Sequence, residues 1–321
     1  MIISTIASHS SLQILLGAKD EGLKTRLYVK PGRKAFYAST RLADELVVTE
    51  NMDAILNDEG IVVPHGSFVA YLGLEAIEKA KVRFFGNRRF LKWETTFELQ
   101  DRALDKAGIP RVEVVEPEDI RSDELYFVRL EGPRGGSGHF IVRGDEIEER
   151  LKRVEGNYRV ERFIPGVYLY VHFFYSPILD RLELLGVDER VVIADGNARW
   201  PVKPLPYTIA GNVGVALRES LLPRLYDYGL AFVEAMRKLE PPGIIGPFAL
   251  HFAYDGEFKA IGFASRIDGG SNALHWYGRL YWDEPMSAGR RIAREIKLAL
   301  EEERLEEVVT WPTQAGRSGL A

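Results

Sequence analysis

Residues 131–140 read EGPRGGSGHF, four glycines in ten positions, directly behind the apolar run ELYFVRL at 124–130. Glycine lets backbone N–H groups converge on phosphate oxygens without side-chain obstruction. Arg134 inside the loop and Arg129 at the end of the preceding run add positive charge. The stretch is not a P-loop, because the pattern GxxxxGK[ST] is absent. Nor is it a dinucleotide fingerprint: the next segment, HFIVRG, alternates like a strand and not like a helix. Two readings stay open on the pattern alone, a glycine lid closing over phosphates and an ordinary hairpin turn.

The surroundings of that loop divide the chain. Before it, IISTIA, TRLYVK, LADELVVTE and GIVVPHGSFVAYLG alternate with helical stretches such as SLQILLGAKDEG, which predicts a parallel, doubly wound sheet over residues 1–90. Residues 91–110 read as a linking helix closed by Gly108 and Pro110. Around the loop itself, RVEVVE, ELYFVRL, GHFIVRG and YRVERFIPG read as short strands with one helix between them, a small α+β unit over 111–166. Residues 167–310 carry longer strands and the helices ESLLPRLYDYGLAFVEAMRKLE and SAGRRIAREIKLALEEERLEEVV, with YDGEF as a hairpin turn. The tail, 311–321, has little to bury and reads as flexible.

Composition narrows the function. The chain has 321 residues, 46% hydrophobic and 28% charged, as soluble globular proteins do. A net charge of −5 argues against general affinity for nucleic acid. With no cysteine, disulfide and thiolate chemistry are excluded. Six scattered histidines lack zinc-site spacing. No apolar run approaches the ~20 residues of a spanning helix, and no signal peptide is evident, so the expected location is the cytoplasm.

Three further clusters carry polar groups at strand ends. RIDGGSN (266–272) places Arg266, an aspartate, a serine and an asparagine around a Gly-Gly turn, and reads equally as a polar turn with an internal Arg–Asp pair. PHGS (64–67) and ASHS (7–10) put Ser67 and His9 beyond neighbouring parallel strands, where ligands of such sheets sit. A lone histidine there is more often structural; two at neighbouring strand ends make the functional and structural readings even. AGNVGVALRESLL places Asn212, Arg218 and Glu219 ahead of a helix, the last also readable as a helix-start residue.

A Rossmann-like first unit, a small glycine-loop lid and a strand-rich third unit make an ATP-grasp arrangement with an N-terminal preATP-grasp domain, α/β and α+β in class. The chain resembles the archaeal formate-dependent FAICAR synthetases, the ATP-grasp ligases of purine biosynthesis. The resemblance runs from about residue 3 to 305 through ASHSSLQILLGAKDEG, VVPHGSFVAYLGL, FGNRRFLKWE, GPRGGSGHF, LELLGVDER, AGNVGVALRESLLP, PPGIIGPFALHF and SRIDGGSN. It implies phosphorylation of formate by ATP and attack of the AICAR 5-amino group on formyl phosphate. It assigns His9, Ser67 and Asn212 to AICAR, with Arg266 on the substrate side. Arg129, Arg134, Gly135, Gly136 and Glu161 then fall to ATP, and assembly as a homo-oligomer is implied.

The departures from the family pattern are specific. Arg129 stands where a lysine is expected, and GPRGGSG has Ser137 in place of a second arginine. Gly262 occupies the position of a magnesium-binding glutamate, and His251 that of its partner ligand. Neither is a hard oxygen donor. Alongside ATP- and formate-dependent formylation of AICAR, the sequence therefore admits a catalytically silent paralogue that binds AICAR or another purine nucleotide. A ligase for a different amine or carboxylate is the third reading.

Overall fold

The apolar runs of the first ninety residues become parallel strands because helices cover both of their faces. The computed structural model describes residues 1–132, 139–193, 205–206, 208–273 and 276–311. Strands β1 (Ile2–Ile6), β2 (Lys24–Val29), β3 (Glu45–Val48), β4 (Ile61–Val62) and β5 (Arg83–Phe85) pair in parallel in the order β5-β4-β1-β2-β3. The helix Ser11–Asp20 leaves the carboxyl end of β1 and crosses the helix Ala288–Glu301 at very short range. Two glycines permit the crossing: a Cβ on Gly17 would lie 2.2 Å from the Arg290 nitrogen, and one on Gly289 2.0 Å from the Gln13 carbonyl oxygen.

The glycine loop joins two antiparallel strands, β6 (Leu125–Leu130) and β7 (Phe140–Arg143), with β8 (Tyr158–Arg162) on the other side of β6. Residues 133–138, including Arg134, Gly135 and Gly136, lie outside the described residues. The expected strand RVEVVE is not one. Its backbone is shared between two sheets: Val112 N–H donates to Ala260 O and Val115 N–H to Val160 O, leaving only isolated bridges. That segment stitches the lid to the third unit.

The third unit is antiparallel. Strands β9 (Val167–Ser176) and β10 (Arg181–Ile193) are followed by β11 (Leu205–Pro206), β12 (Thr208–Gly214), β13 (Gly246–Tyr254) and β14 (Phe258–Ala264). Their sheet runs β12-β10-β9-β13-β14, while β11 pairs with β7 in the lid. Aromatic side chains at Phe173, Phe232, Phe248, Phe252 and Phe263 fill the core between this sheet and the helices Phe97–Lys106 and Leu222–Leu239. The last long helix stops at Glu301, short of the predicted run. There Glu303 takes a left-handed conformation (φ 57°), so that β15 (Val309–Thr310) can turn back and pair with β5. Among the described residues no helix is long and apolar enough to cross a membrane.

Candidate active site

The carboxyl ends of β1 and β4 face the turn that follows β14. His9 sits between β1 and the first helix with φ 48°, a left-handed conformation uncommon for any residue but glycine. Its Nδ1 lies 2.8 Å from Ser10 Oγ, and its ring stacks on His65 at 5.7 Å between centroids. His65 is fixed from both nitrogens: Nδ1 accepts from Ser67 N–H at 3.2 Å, so Nε2 carries the proton donated to Ile6 O at 2.8 Å. Ser67 Oγ is 3.0 Å from Ser8 Oγ. Burial pushes His65 down to about 3 and His9 to about 4, the latter helped by Arg266 and opposed by Asp268. Both rings are neutral at pH 7.

Two glycines let the side chains of this corner crowd together. A Cβ on Gly66 would lie 2.6 Å from His9 Nε2 and 3.1 Å from Arg266 Cζ. One on Gly269 would lie 3.3 Å from His9 Nε2 and 3.9 Å from Asn212 Oδ1. Four predicted substrate residues, His9, Ser67, Asn212 and Arg266, thus come together from four separate segments. Arg218 and Glu219 do not join them; they open a short turn before the helix Leu222–Leu239.

Asp268, 4% exposed, is the hub. Its carboxylate meets Arg266 Nη1 at 3.1 Å, His251 Nε2 at 3.3 Å and Arg190 Nη2, and accepts Gly269 N–H at 2.7 Å. Burial alone would raise this carboxyl; Arg190, His251 and Arg266 outweigh it and hold it well below the usual carboxylate range. Arg266 reaches back to Glu94 Oε1 at 3.2 Å, and Glu94 Oε2 accepts Ser265 N–H at 2.7 Å. A second buried acid, Asp188, accepts Asn212 Nδ2 at 2.7 Å and faces His172 Nε2 at 2.6 Å. With its Nδ2 committed there, Asn212 turns Oδ1, an acceptor, toward Gly269.

Sequence reasoning missed Asp188, Arg190, His172 and Glu94. The first two had a signal: polar residues two apart, hence on one face, at the end of the otherwise apolar run LELLGV. Glu94 had none, being 171 residues from Ser265.

On the lid side, Arg129 Nη1 donates to Glu161 Oε1 at 3.0 Å and to Ile261 O. Arg159 lies 2.6 Å from the same carboxylate and 4.4 Å over the Phe97 ring. His251 and Gly262 are register partners across β13 and β14. A magnesium ion does not fit them. Gly262 offers no donor, and the His251 ring is buried, pushed down to about 4 and turned to Asp268. In place of a carboxylate, the space beside Gly262 holds Gln100 Oε1 and Arg129 Nη2, 2.9 and 3.5 Å from where a Cβ would stand. Among the described residues no group of three acidic, histidine or cysteine side chains is arranged for a metal.

Comparison with known proteins follows this geometry. Residues 146–310 match a family described as a domain of unknown function (DUF1297), and residues 3–115 one described as a protein of unknown function (DUF1246). A Sulfolobus acidocaldarius protein named 5-formaminoimidazole-4-carboxamide-1-(beta)-D-ribofuranosyl 5'-monophosphate synthetase is 40% identical, over 96% of this chain and 99% of its own. The crystal structure of an IMP biosynthesis protein PurP from Thermococcus kodakaraensis is 75% identical with a TM-score of 0.87, over 96% of this chain and 100% of that one. A biotin carboxylase domain from Hydrogenobacter thermophilus, solved with ADP, its magnesium salt and bicarbonate, shares the fold at 14% identity, with a TM-score of 0.65 over 91% and 69% of the two chains. The chain has the ATP-grasp fold and belongs to the family of the 5-formaminoimidazole-4-carboxamide ribonucleotide (FAICAR) synthetases.

Proposed function

We propose that this chain formylates AICAR with free formate at the expense of ATP. The observation that carries the reading is the convergence of His9, Asn212 and Arg266 around Gly66 and Gly269 at the strand ends, in a chain of the synthetase family. A formate oxygen attacks the γ-phosphorus of ATP, giving formyl phosphate and ADP. The AICAR amine then attacks the formyl carbon, phosphate departs with the formate-derived oxygen, and the amine loses a proton. Neither step needs a protein nucleophile; positioning and charge neutralisation suffice.

The residues suit those tasks. A neutral His9 and the Asn212 carbonyl give an N–H-rich substrate uncharged partners in a corner open to it. Ser67 adds a hydroxyl at the end of β4. Arg266, held between Asp268 and Glu94, is pre-set by its ion pairs, so little side-chain entropy is lost on binding. Arg129 and Arg159 supply positive charge beneath the lid for the nucleotide. Homo-oligomeric assembly in the cytoplasm belongs to the same proposal.

The lack of hard oxygen donors at His251 and Gly262 favours one rival, a silent AICAR-binding protein. Incubating the purified chain with AICAR, formate, ATP and magnesium, then quantifying FAICAR and ADP by chromatography, separates the two. Formate-dependent FAICAR in step with ADP supports the proposal; AICAR binding without product leaves the silent protein.

A further inference from the structure

The gap beside Gly262 is already occupied by positive charge. Arg129 places one guanidinium nitrogen on Glu161 and on the Ile261 carbonyl, and the other 3.5 Å from the Gly262 Cβ position. Arg159 Nε lies 2.6 Å from the same Glu161 oxygen. Each acid near the gap is committed to arginine: Glu161 to Arg129 and Arg159, Asp268 to Arg190 and Arg266, Glu94 to Arg266. Among the described residues, two buried oxygens here are without a partner, Glu161 Oε2 and Gln100 Oε1. Magnesium is ordinarily held by one or two protein carboxylates, with phosphate and water oxygens completing its octahedron; the one carboxylate of this pair, Glu161, already faces two guanidinium groups, which at this range repel a divalent cation.

We infer that this chain neutralises nucleotide phosphates with the fixed Arg129 and Arg159 guanidinium groups in place of a strand-bound divalent cation, so that nucleotide binding does not depend on magnesium. The inference rests on the proposed use of ATP and specifies how this chain holds it. Guanidinium is planar, permanently charged and matched to phosphate oxygens, which makes arginine the side chain suited to stand in. Arg129 reaches Ile261 O on β14 from β6 in the lid, a span that carries its charge to the place where the strand lacks an acid.

The test is calorimetric titration of the full chain with ADP, once in EDTA and once in millimolar magnesium. The inference predicts dissociation constants within threefold of each other. Binding at least tenfold tighter with magnesium overturns it while leaving the ATP reading intact. No ADP binding in either buffer overturns both. Arg129→Gln, titrated in EDTA, is expected to lose at least tenfold in affinity; unchanged affinity in a variant with a wild-type circular-dichroism melt also overturns the inference. Should that variant not fold, the wild-type pair of titrations decides alone.

Discussion

Two enclosed histidines make the stability of this protein sensitive to mild acid. His65 is held at about 3 and His251 at about 4, each below the ordinary 6.5, and burial is the leading cause at both. A depressed histidine contributes stability that is complete above 6.5 and is lost as pH falls toward its folded value, because only the unfolded chain takes up the proton. Between pH 7 and pH 5 the unfolded imidazole goes from about one-quarter to almost fully protonated, while the folded one stays neutral. The linkage relation then gives about 2 kcal/mol per histidine, roughly 4 kcal/mol for the two. Buried acids add little in this window: Asp268 titrates well below 3.8 when folded and near 3.8 when unfolded. Guanidinium unfolding at pH 7 and pH 5 measures the difference. His65→Gln, which keeps an acceptor for Ser67 N–H and a donor for Ile6 O, should reduce the loss by about half. A loss below about 1 kcal/mol, or an unchanged loss in the variant, would refute the claim that these rings are locked neutral.

Two further substitutions probe the corner and its scaffold. Gly66→Ala puts a methyl 2.6 Å from His9 Nε2, so the ring must leave Ser10 and His65; AICAR affinity by calorimetry should fall at least tenfold, for a stability change of only about 1–2 kcal/mol. Arg291→Leu strips the fully buried Glu183 and Glu295 of their shared arginine and should cost about 3–5 kcal/mol in urea unfolding.

What the sequence discloses and what it hides follow from range. The YDGEF turn announces β13 and β14, but counting outward from it would set His251 opposite Ile261; a bulge between His251 and Phe252 brings Gly262 there instead. Alternating strands and helices announce the parallel sheet, hence the strand ends where His9 and His65 lie. Closures from a distance stay hidden. Val309–Thr310, two residues long, joins the first sheet only because β5 offers a free edge, and Leu205–Pro206 joins the lid in the same way. RVEVVE has the alternation of a strand, yet divides its hydrogen bonds between two sheets. The Asp268 hub is assembled from β10, β13 and the turn after β14, and periodicity along a chain carries no record of such a meeting.

The central claim is that formate is activated by ATP and passed to the AICAR amine, and the path of oxygen tests it most directly. With [18O]formate, AICAR and ATP, each FAICAR formed should leave one 18O in the released inorganic phosphate, read by mass spectrometry. FAICAR accompanied by unlabelled phosphate would contradict activation through formyl phosphate, and no FAICAR from a chain that binds AICAR would contradict the ligase itself.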